Sequence, residues 1–142
     1  MKKKFSILII EDEKDIAELI KDYFEECNYQ VLVAHSRNEA FFKINNQTFD
    51  LILSDIKLNT NDVFPILKEL EVNEKSPNHG VPIIIHSGHV TGPIIRKHKS
   101  IIKAVMVKPT NSEELVEKVT EIINLNKLKT KGKTRGKIKA IA

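Results

Sequence analysis

The chain has 142 residues, one cysteine and a hydrophobic content of 41%. It is therefore long enough and apolar enough to form one folded domain, and a framework of disulfide bonds is excluded. The formal net charge of +4 is unevenly distributed. Residues 127–142 hold seven basic residues and no acid, which leaves 16 of the 23 Lys and Arg against all 19 Asp and Glu in residues 1–126. The sequence predicts a mildly acidic domain over 1–126 and a basic tail over 127–142.

Short apolar runs alternate with amphipathic segments from the start of the chain. Residues 4–10 are an apolar run that ends at acidic residues, which predicts a buried strand. Apolar residues at helical spacing predict a helix over 13–26, and residues 31–34 resemble a second strand. A capping box at Ser36 and Glu39 then begins a second helix, because each side chain can satisfy a free backbone N–H.

The same alternation continues through the rest of the predicted domain. The remaining elements are a strand over 49–54, a helix after the polar residues 59–62, a strand over 81–85, a short helix from Thr91, a strand over 104–107 and a helix from Ser112. Five apolar strands separated by five helices indicate an α/β fold. We expect a doubly wound parallel sheet that is covered by helices on both faces.

Polar side chains follow four of the five predicted strands. In an open parallel sheet, ligands bind beyond the carboxyl ends of the strands, so these side chains should share one edge. They are Glu11 and Asp12 after the first strand, Asp55 after the third, Ser87 at the end of the fourth and Lys108 after the fifth. Each of them alone has an ordinary explanation as a cap, turn or loop residue. Their joint placement favours a functional site.

Three carboxylates at one edge repel each other unless one pKa rises or a cation binds between them. Mg²⁺ prefers oxygen ligands and keeps several waters, so two or three carboxylates can hold it. Lys108 adds a positive charge and Ser87 adds a hydroxyl group. Together these groups suit the transfer of a phosphoryl group, with an aspartate oxygen as the attacking atom.

The ordered set of motifs resembles the receiver domain of two-component response regulators. The resemblance spans residues 4–125, and it depends on the segments 7–13, 51–55, 83–88 and 105–109. It implies a flavodoxin-like (βα)5 sheet of strand order 2-1-3-4-5. It also implies a signalling domain of bacterial two-component systems and phosphorelays, not an enzyme, that catalyses its own phosphorylation and dephosphorylation with Mg²⁺.

The resemblance also implies a role for each matching residue. Asp55 matches the phospho-acceptor, and its phosphoryl donor would be a histidine kinase or a histidine phosphotransfer protein. The implied Mg²⁺ ligands are Glu11, Asp12, Asp55 and the backbone carbonyl of Lys57. The implied contacts of the phosphoryl group are Ser87 and Lys108, and Pro109 matches a cis-peptide proline. Lys57 and His89 flank the path of the hydrolytic water, where they would tune the lifetime of the phosphorylated state.

Three positions depart clearly from the family's usual pattern, while Gly88, which replaces the usual alanine after Ser87, is a tolerable change. Asn59 stands where the family usually has proline, and Val63 stands where it usually has glycine. We therefore expect a differently shaped loop after Asp55, in which Val63 avoids a positive φ angle. Val105 occupies the switch position, which is usually aromatic. Rotation of a buried aromatic ring, coupled to Ser87, therefore cannot carry the signal in this chain.

Other functions remain open at this stage. A haloacid-dehalogenase-type phosphatase needs a second aspartate two residues after the nucleophile, but that position is Lys57. A pseudo-receiver that acts by binding alone is the main alternative, since three family positions differ. His86 and His89 are a weak signal for a transition metal. Binding of nucleic acid is expected only as weak, non-specific contact through the tail, which lacks aromatic residues for base stacking.

We expect a cytoplasmic, single-domain regulator that acts through its own surface. No apolar stretch approaches the ~18 residues of a membrane span, and the one cysteine suits a reducing compartment. The expected partner surface is 94–126, where basic residues would favour an acidic partner. These residues are Arg96, Lys97, His98, Lys99 and Lys103. The alternation of basic residues in 127–139 suggests a solvated, extended tail with its charges on one face.

Overall fold

The computed structural model describes residues 4–88 and 92–141. In this part of the chain, five parallel strands form one sheet in the spatial order β2-β1-β3-β4-β5. The strands are β1 (Ser6–Ile10), β2 (Gln30–Ala34), β3 (Leu51–Ser54), β4 (Ile83–Ser87) and β5 (Ile102–Val107). The predicted flavodoxin-like sheet and its strand order are therefore confirmed.

Within the same described residues, four helices connect the strands, a fifth follows the last strand, and together they cover both faces of the sheet. They are α1 (Lys14–Glu26), α2 (Arg37–Asn46), α3 (Phe64–Val72), α4 (Gly92–Lys97) and α5 (Ser112–Ile141). Successive strand residues face opposite sides, so Leu8 packs in a core with α2 and α3 whereas Ile9 packs in a core with α1 and α5. These two cores hold the sheet rigid, which fixes the positions of the residues at its carboxyl edge.

A short antiparallel hairpin, which no pattern in the sequence predicts, lies in the loop between β3 and α3. Lys57–Leu58 pairs with Asn61–Asp62, and Asn59 has a positive φ of 60° at the hairpin tip. Val63 has a φ of −85°, as predicted for a residue that replaces the family's usual glycine. Proline is held near a φ of about −65° and could not adopt the backbone conformation of Asn59.

The start of α2 differs in one detail from the predicted capping box. The Ser36 hydroxyl accepts a 3.1 Å hydrogen bond from the Glu39 N–H, as expected. The Glu39 carboxylate, however, accepts from the N–H of His35 at 2.7 Å, one residue earlier than the box requires. The helix therefore has its serine cap, while the glutamate fixes the preceding loop.

Helix α5 extends through Ile141 and so includes most of residues 127–142, the predicted basic tail. The backbone of residues 127–141 is therefore helical, and the prediction of an extended conformation was wrong there. Lys127 contacts the body of the domain, with its Nζ 4.2 Å from the centre of the Phe5 ring.

Candidate functional site

The structure brings the predicted strand-end residues together at the carboxyl edge of the sheet. One oxygen from each of Glu11, Asp12 and Asp55 lies within 4.8 Å of the other two. Lys108 enters the same cluster from the loop after β5. Its Nζ donates to Glu11 Oε1 at 2.6 Å and to Asp55 Oδ2 at 2.8 Å. The lysine therefore bridges two of the three carboxylates.

The pKa values of the two bridged carboxylates are shifted in opposite directions. Glu11 is only 3% exposed, and its burial raises the pKa of the carboxyl group above the ordinary value despite the nearby lysine. Burial would also raise the pKa of Asp55, but hydrogen bonds from Lys108 and Ser87 outweigh it and place that pKa below the ordinary value. Asp55 is therefore ionised at neutral pH, as a nucleophile must be.

The half-buried Asp55 is held by groups from three strand ends. Its Oδ1 accepts a 2.6 Å hydrogen bond from the backbone N–H of Ile56, and its other contacts come from Lys108 and Ser87. Hydrogen bonds between the lysine and the two carboxylates raise the pKa of Lys108 against the effect of burial. The ammonium group therefore stays charged beside the carboxylate.

The chemistry of the acidic cluster fits a hard divalent cation such as Mg²⁺. All three side chains offer carboxylate oxygens, which Mg²⁺ prefers to nitrogen or sulfur ligands. Glu11 is buried and Asp12 is partly exposed, so the cluster reaches from the interior to the surface. A cation at this position would offset the repulsion that the single Lys108 charge leaves between three acids.

The other predicted site residues occupy different surroundings. Lys57 is exposed in the hairpin, and Val105 is partly buried against the core beneath α2, α3 and α4. The Lys108–Pro109 peptide bond is cis, as the resemblance implies. His89 lies outside the described residues. The predicted roles of Lys57, Val105 and His89 therefore stay predictions.

Two contacts with the acidic residues were missed by the sequence analysis. The backbone N–H of Asn59 donates a 3.0 Å hydrogen bond to Asp12 Oδ2, across the gap between two loops. The Nδ1 atom of His35 lies 3.0 Å from the backbone oxygen of Glu11. No sequence motif marks either contact, although the departure from the family pattern at Asn59 was a clue that this loop differs.

His86 is a buried polar residue at the edge of the site. It is 6% exposed, and its Nε2 atom has no hydrogen-bond partner among the described residues. Burial, and then the positive charge of Lys108, lower the pKa of His86 to about 4. The imidazole is therefore neutral at physiological pH.

The predicted basic partner surface needs one correction. His98 is only 6% exposed, stacks on the Phe64 ring and contacts the Glu71 carboxylate through Nδ1. It therefore belongs to the packing between α3 and the end of α4, and not to an exposed surface. The four other basic residues of the set are exposed, namely Arg96, Lys97, Lys99 and Lys103.

The sheet order and its acidic edge define an α/β domain of the flavodoxin-like class. Residues 7–120 match the response regulator receiver domain family, and the chain belongs to that family. Its fold is similar to a CheY-like receiver domain protein from Methanospirillum hungatei JF-1, with a TM-score of 0.80, 26% identity and coverage of 89% of this chain and 99% of that one. The receiver domain of Francisella response regulator 1452 is 29% identical, with a TM-score of 0.75 and coverage of 87% and 99%.

Curated relatives with similar sequences include response regulators that are longer than this chain. The response regulator ArlR from Staphylococcus saprophyticus is 28% identical over 117 residues, which cover 82% of this chain and 51% of the relative. A probable transcriptional regulator, ycf29 from Porphyra purpurea, is 26% identical over 84% of this chain and 56% of its own length. The chain thus spans about half the length of these relatives. Within its described residues, no helix is both long and apolar enough to cross a bilayer.

Proposed function

We propose that this receiver domain accepts a phosphoryl group on Asp55 from a histidine kinase or a histidine phosphotransfer protein, in a reaction that depends on Mg²⁺. The observation that carries this proposal is the convergence of Lys108 and Ser87 on one ionised carboxylate beside two further acids. A site for structural ion pairing alone would not need a hydroxyl group and a surplus of negative charge.

The residues divide the chemistry between them. A carboxylate oxygen of Asp55 attacks the phosphorus atom while the bond from phosphorus to the donor's imidazole nitrogen breaks, and the electron pair leaves with that nitrogen. Lys108 and Ser87 then hold oxygens of the transferred group. The metal would be held by Glu11, Asp12, Asp55 and the backbone carbonyl of Lys57. When bound, it neutralises the charge of the phosphoryl oxygens.

Two further residues are proposed to set the lifetime of the phosphorylated state. Lys57 is exposed two residues after the acceptor, where its charge can pair with the acyl phosphate or shield it from water. His89 stands two residues after Ser87 in the sequence, on the same proposed path of the hydrolytic water. Faster or slower loss of phosphate in Lys57→Ala and His89→Ala, at unchanged Mg²⁺ affinity, would support these roles.

The phosphorylated domain is proposed to signal through the surface 94–126. Arg96, Lys97, Lys99 and Lys103 are exposed there and suit an acidic partner. Charge reversal at Arg96 and Lys99 should weaken binding of the downstream protein, whereas the same change at Lys75, which is exposed outside this surface, should not. Equal binding by both variants would count against this surface.

The division into a domain over 1–126 and a tail, and the single-domain role, stay predictions.

The proposed function is tested with a small phosphodonor such as acetyl phosphate, with and without Mg²⁺. We expect a mass increase of one phosphoryl group on Asp55 only when Mg²⁺ is present, and none in Asp55→Asn. The exposed Asp22 is the matched control, because Asp22→Asn leaves the site intact. A folded protein that takes up no phosphoryl group would instead favour the pseudo-receiver.

A further inference from the structure

The hairpin after β3 makes a contact with the acidic site that the proposed chemistry does not use. Asn59, at its tip, donates its backbone N–H to Asp12 Oδ2 at 3.0 Å. Asp12 comes from the loop after β1, so the contact joins two loops that are 47 residues apart in the sequence. It holds one carboxylate oxygen of a proposed metal ligand.

The conformation of Asn59 is what makes this contact available. Two-residue hairpins favour turns whose first central residue has a positive φ, and Asn59 supplies a φ of 60° between the paired residues Leu58 and Asn61. Asparagine tolerates this left-handed region better than most residues. Proline, the usual family residue, would lack both the required φ and the N–H donor.

The hairpin is anchored at its base, so its tip has a defined position. Leu58 is only 2% exposed and packs in the core beneath α2 and α3. The Val63 N–H donates to the Ile56 carbonyl at 2.9 Å, which closes the loop just after the acceptor. Asp62 accepts a 3.0 Å hydrogen bond from the Phe64 N–H at the start of α3. The Asn59 N–H is thus held toward Asp12 by packed structure on both sides.

We propose that Asn59 is a positioning residue for the metal site: its backbone N–H orients the Asp12 carboxylate and thereby raises the affinity for Mg²⁺. One oxygen of Asp12 accepts from the hairpin, and the Asp12 carboxylate also places an oxygen within 4.8 Å of one oxygen each of Glu11 and Asp55, where a cation can bind. Hydrogen-bond partners of metal ligands typically change metal affinity by about 10- to 100-fold. This inference rests on the proposed function, because it assumes that Asp12 is a ligand.

The test compares substitutions that separate the N–H and the φ angle from the asparagine side chain. Asn59→Gly keeps both, so its Mg²⁺ dissociation constant, measured by calorimetry or NMR titration, should stay close to wild type. Asn59→Pro removes both and should bind Mg²⁺ about 10-fold more weakly or worse. Asn59→Ala, which strains the φ angle, should fall between them and serves if the proline variant does not fold.

A matched control separates a local effect from general backbone strain. Asn28 also has a positive φ, of 71°, in the exposed loop between α1 and β2. Asn28→Ala should lower thermal stability as Asn59→Ala does, but leave Mg²⁺ affinity unchanged. Saturating Mg²⁺ should restore the phosphorylation rate of Asn59→Pro, which a merely damaged fold would not allow. Wild-type Mg²⁺ affinity in Asn59→Pro would overturn the proposal.

A metal-free measurement tests the contact itself, independently of phosphorylation. In EDTA, the amide of Asn59 should exchange its hydrogen faster in Asp12→Ala than in the wild type. Equal exchange rates would overturn the inference even if the domain binds Mg²⁺ and is phosphorylated. If the Asn59 amide exchanged more slowly in the wild type than in Asp12→Ala but the domain bound no Mg²⁺, the contact between Asn59 and Asp12 would be established. The proposed role of Asn59 in metal binding would then be contradicted.

Discussion

Lys108 donates a 2.6 Å hydrogen bond to Glu11, whose carboxylate is buried at the base of the acidic cluster. The same ammonium group contacts Asp55, so one lysine serves two carboxylates. Burial of a charged group is unfavourable unless an opposite charge lies beside it. Removal of one partner therefore leaves an unpaired buried charge, which destabilises the folded state. The stability of the metal-free domain should therefore depend strongly on Lys108.

Replacement of Lys108 by methionine should lower the free energy of unfolding by about 3 kcal/mol in EDTA, because two partly or fully buried carboxylates lose their counter-charge. Added Mg²⁺ should stabilise this variant more than the wild type, since a cation can replace the lost charge. Urea unfolding with and without Mg²⁺ measures both effects.

Lys118 offers the matched control for this prediction. It forms an exposed ion pair with Glu121 on α5, at 3.1 Å, and such surface pairs contribute at most about 1 kcal/mol. Lys118→Met should therefore change the free energy of unfolding little, with or without Mg²⁺. Similar losses of unfolding free energy in the two lysine variants would show that the charge of Lys108 at the acidic cluster does not stabilise the domain.

His86 should make the domain sensitive to acid. Burial and the Lys108 charge place its folded-state pKa at about 4, whereas an unfolded chain has a value near the ordinary 6.5. Above pH 6.5 both states are neutral at this residue. As the pH falls from 6.5 to 4, the unfolded state binds the proton first, so up to about 3 kcal/mol of stability is lost.

Replacement of His86 by leucine isolates this contribution from that of the titrating carboxylates. The difference in unfolding free energy between variant and wild type should shift in favour of the variant by about 3 kcal/mol between pH 7 and pH 4. The exposed His79 provides the matched control in the variant His79→Leu. If the difference in unfolding free energy between variant and wild type were the same at all pH values, His86 would not be the source of the acid sensitivity.

The carboxyl edge of the sheet could be predicted from the sequence, while the loops that support it could not. The residues that follow parallel strands lie together at the carboxyl edge of the sheet. The sequence therefore predicts that Asp55 and Lys108 lie close to each other. The contact between Asn59 and Asp12 depends instead on one backbone N–H and on a hairpin of two-residue strands. Strands of two residues are too short to show the alternation of apolar and polar residues that predicts a strand.

The tail and His98 show a second limit of sequence reasoning. Alternating basic residues suggested an extended chain, but α5 already exists at residue 126, and extension of a helix costs far less than its nucleation. His98 belongs to a run of basic residues, yet its ring packs against Phe64 and Glu71, which are distant in sequence. Composition cannot reveal a partner that only the folded chain brings near.

The contact between α3 and the segment after α4 predicts a stability effect far from the acidic site. Glu71 accepts a 2.7 Å hydrogen bond from the Ser100 hydroxyl and contacts Nδ1 of the buried His98. Glu71→Ala should lower the unfolding free energy by about 2 kcal/mol, because a buried ring nitrogen loses its partner. Glu74→Ala, at an exposed position nearby, should have little effect, and a loss of equal size there would refute the role of Glu71.

Asn78 supports the opposite end of the sheet from the loop between α3 and β4. It is 3% exposed, and its Oδ1 accepts from the Phe49 N–H at 2.8 Å. Its Nδ2 donates to the carbonyls of Ile44 and Gln47 at 2.7 and 2.6 Å. One amide thus satisfies three backbone groups at the end of α2 and the approach to β3.

Asn78→Ala should therefore lower the unfolding free energy by about 3 kcal/mol, since a buried backbone N–H and two carbonyls lose their partner. Asn78→Asp should be no better, because it keeps the acceptor for Phe49 but turns a carboxylate oxygen toward two carbonyl oxygens. Urea unfolding measures both, with the exposed His79→Ala as the control. Phosphorylation of the folded fraction should be unchanged, because this end of the sheet lies away from Asp55. A wild-type stability in Asn78→Ala would mean that water replaces the amide at no cost.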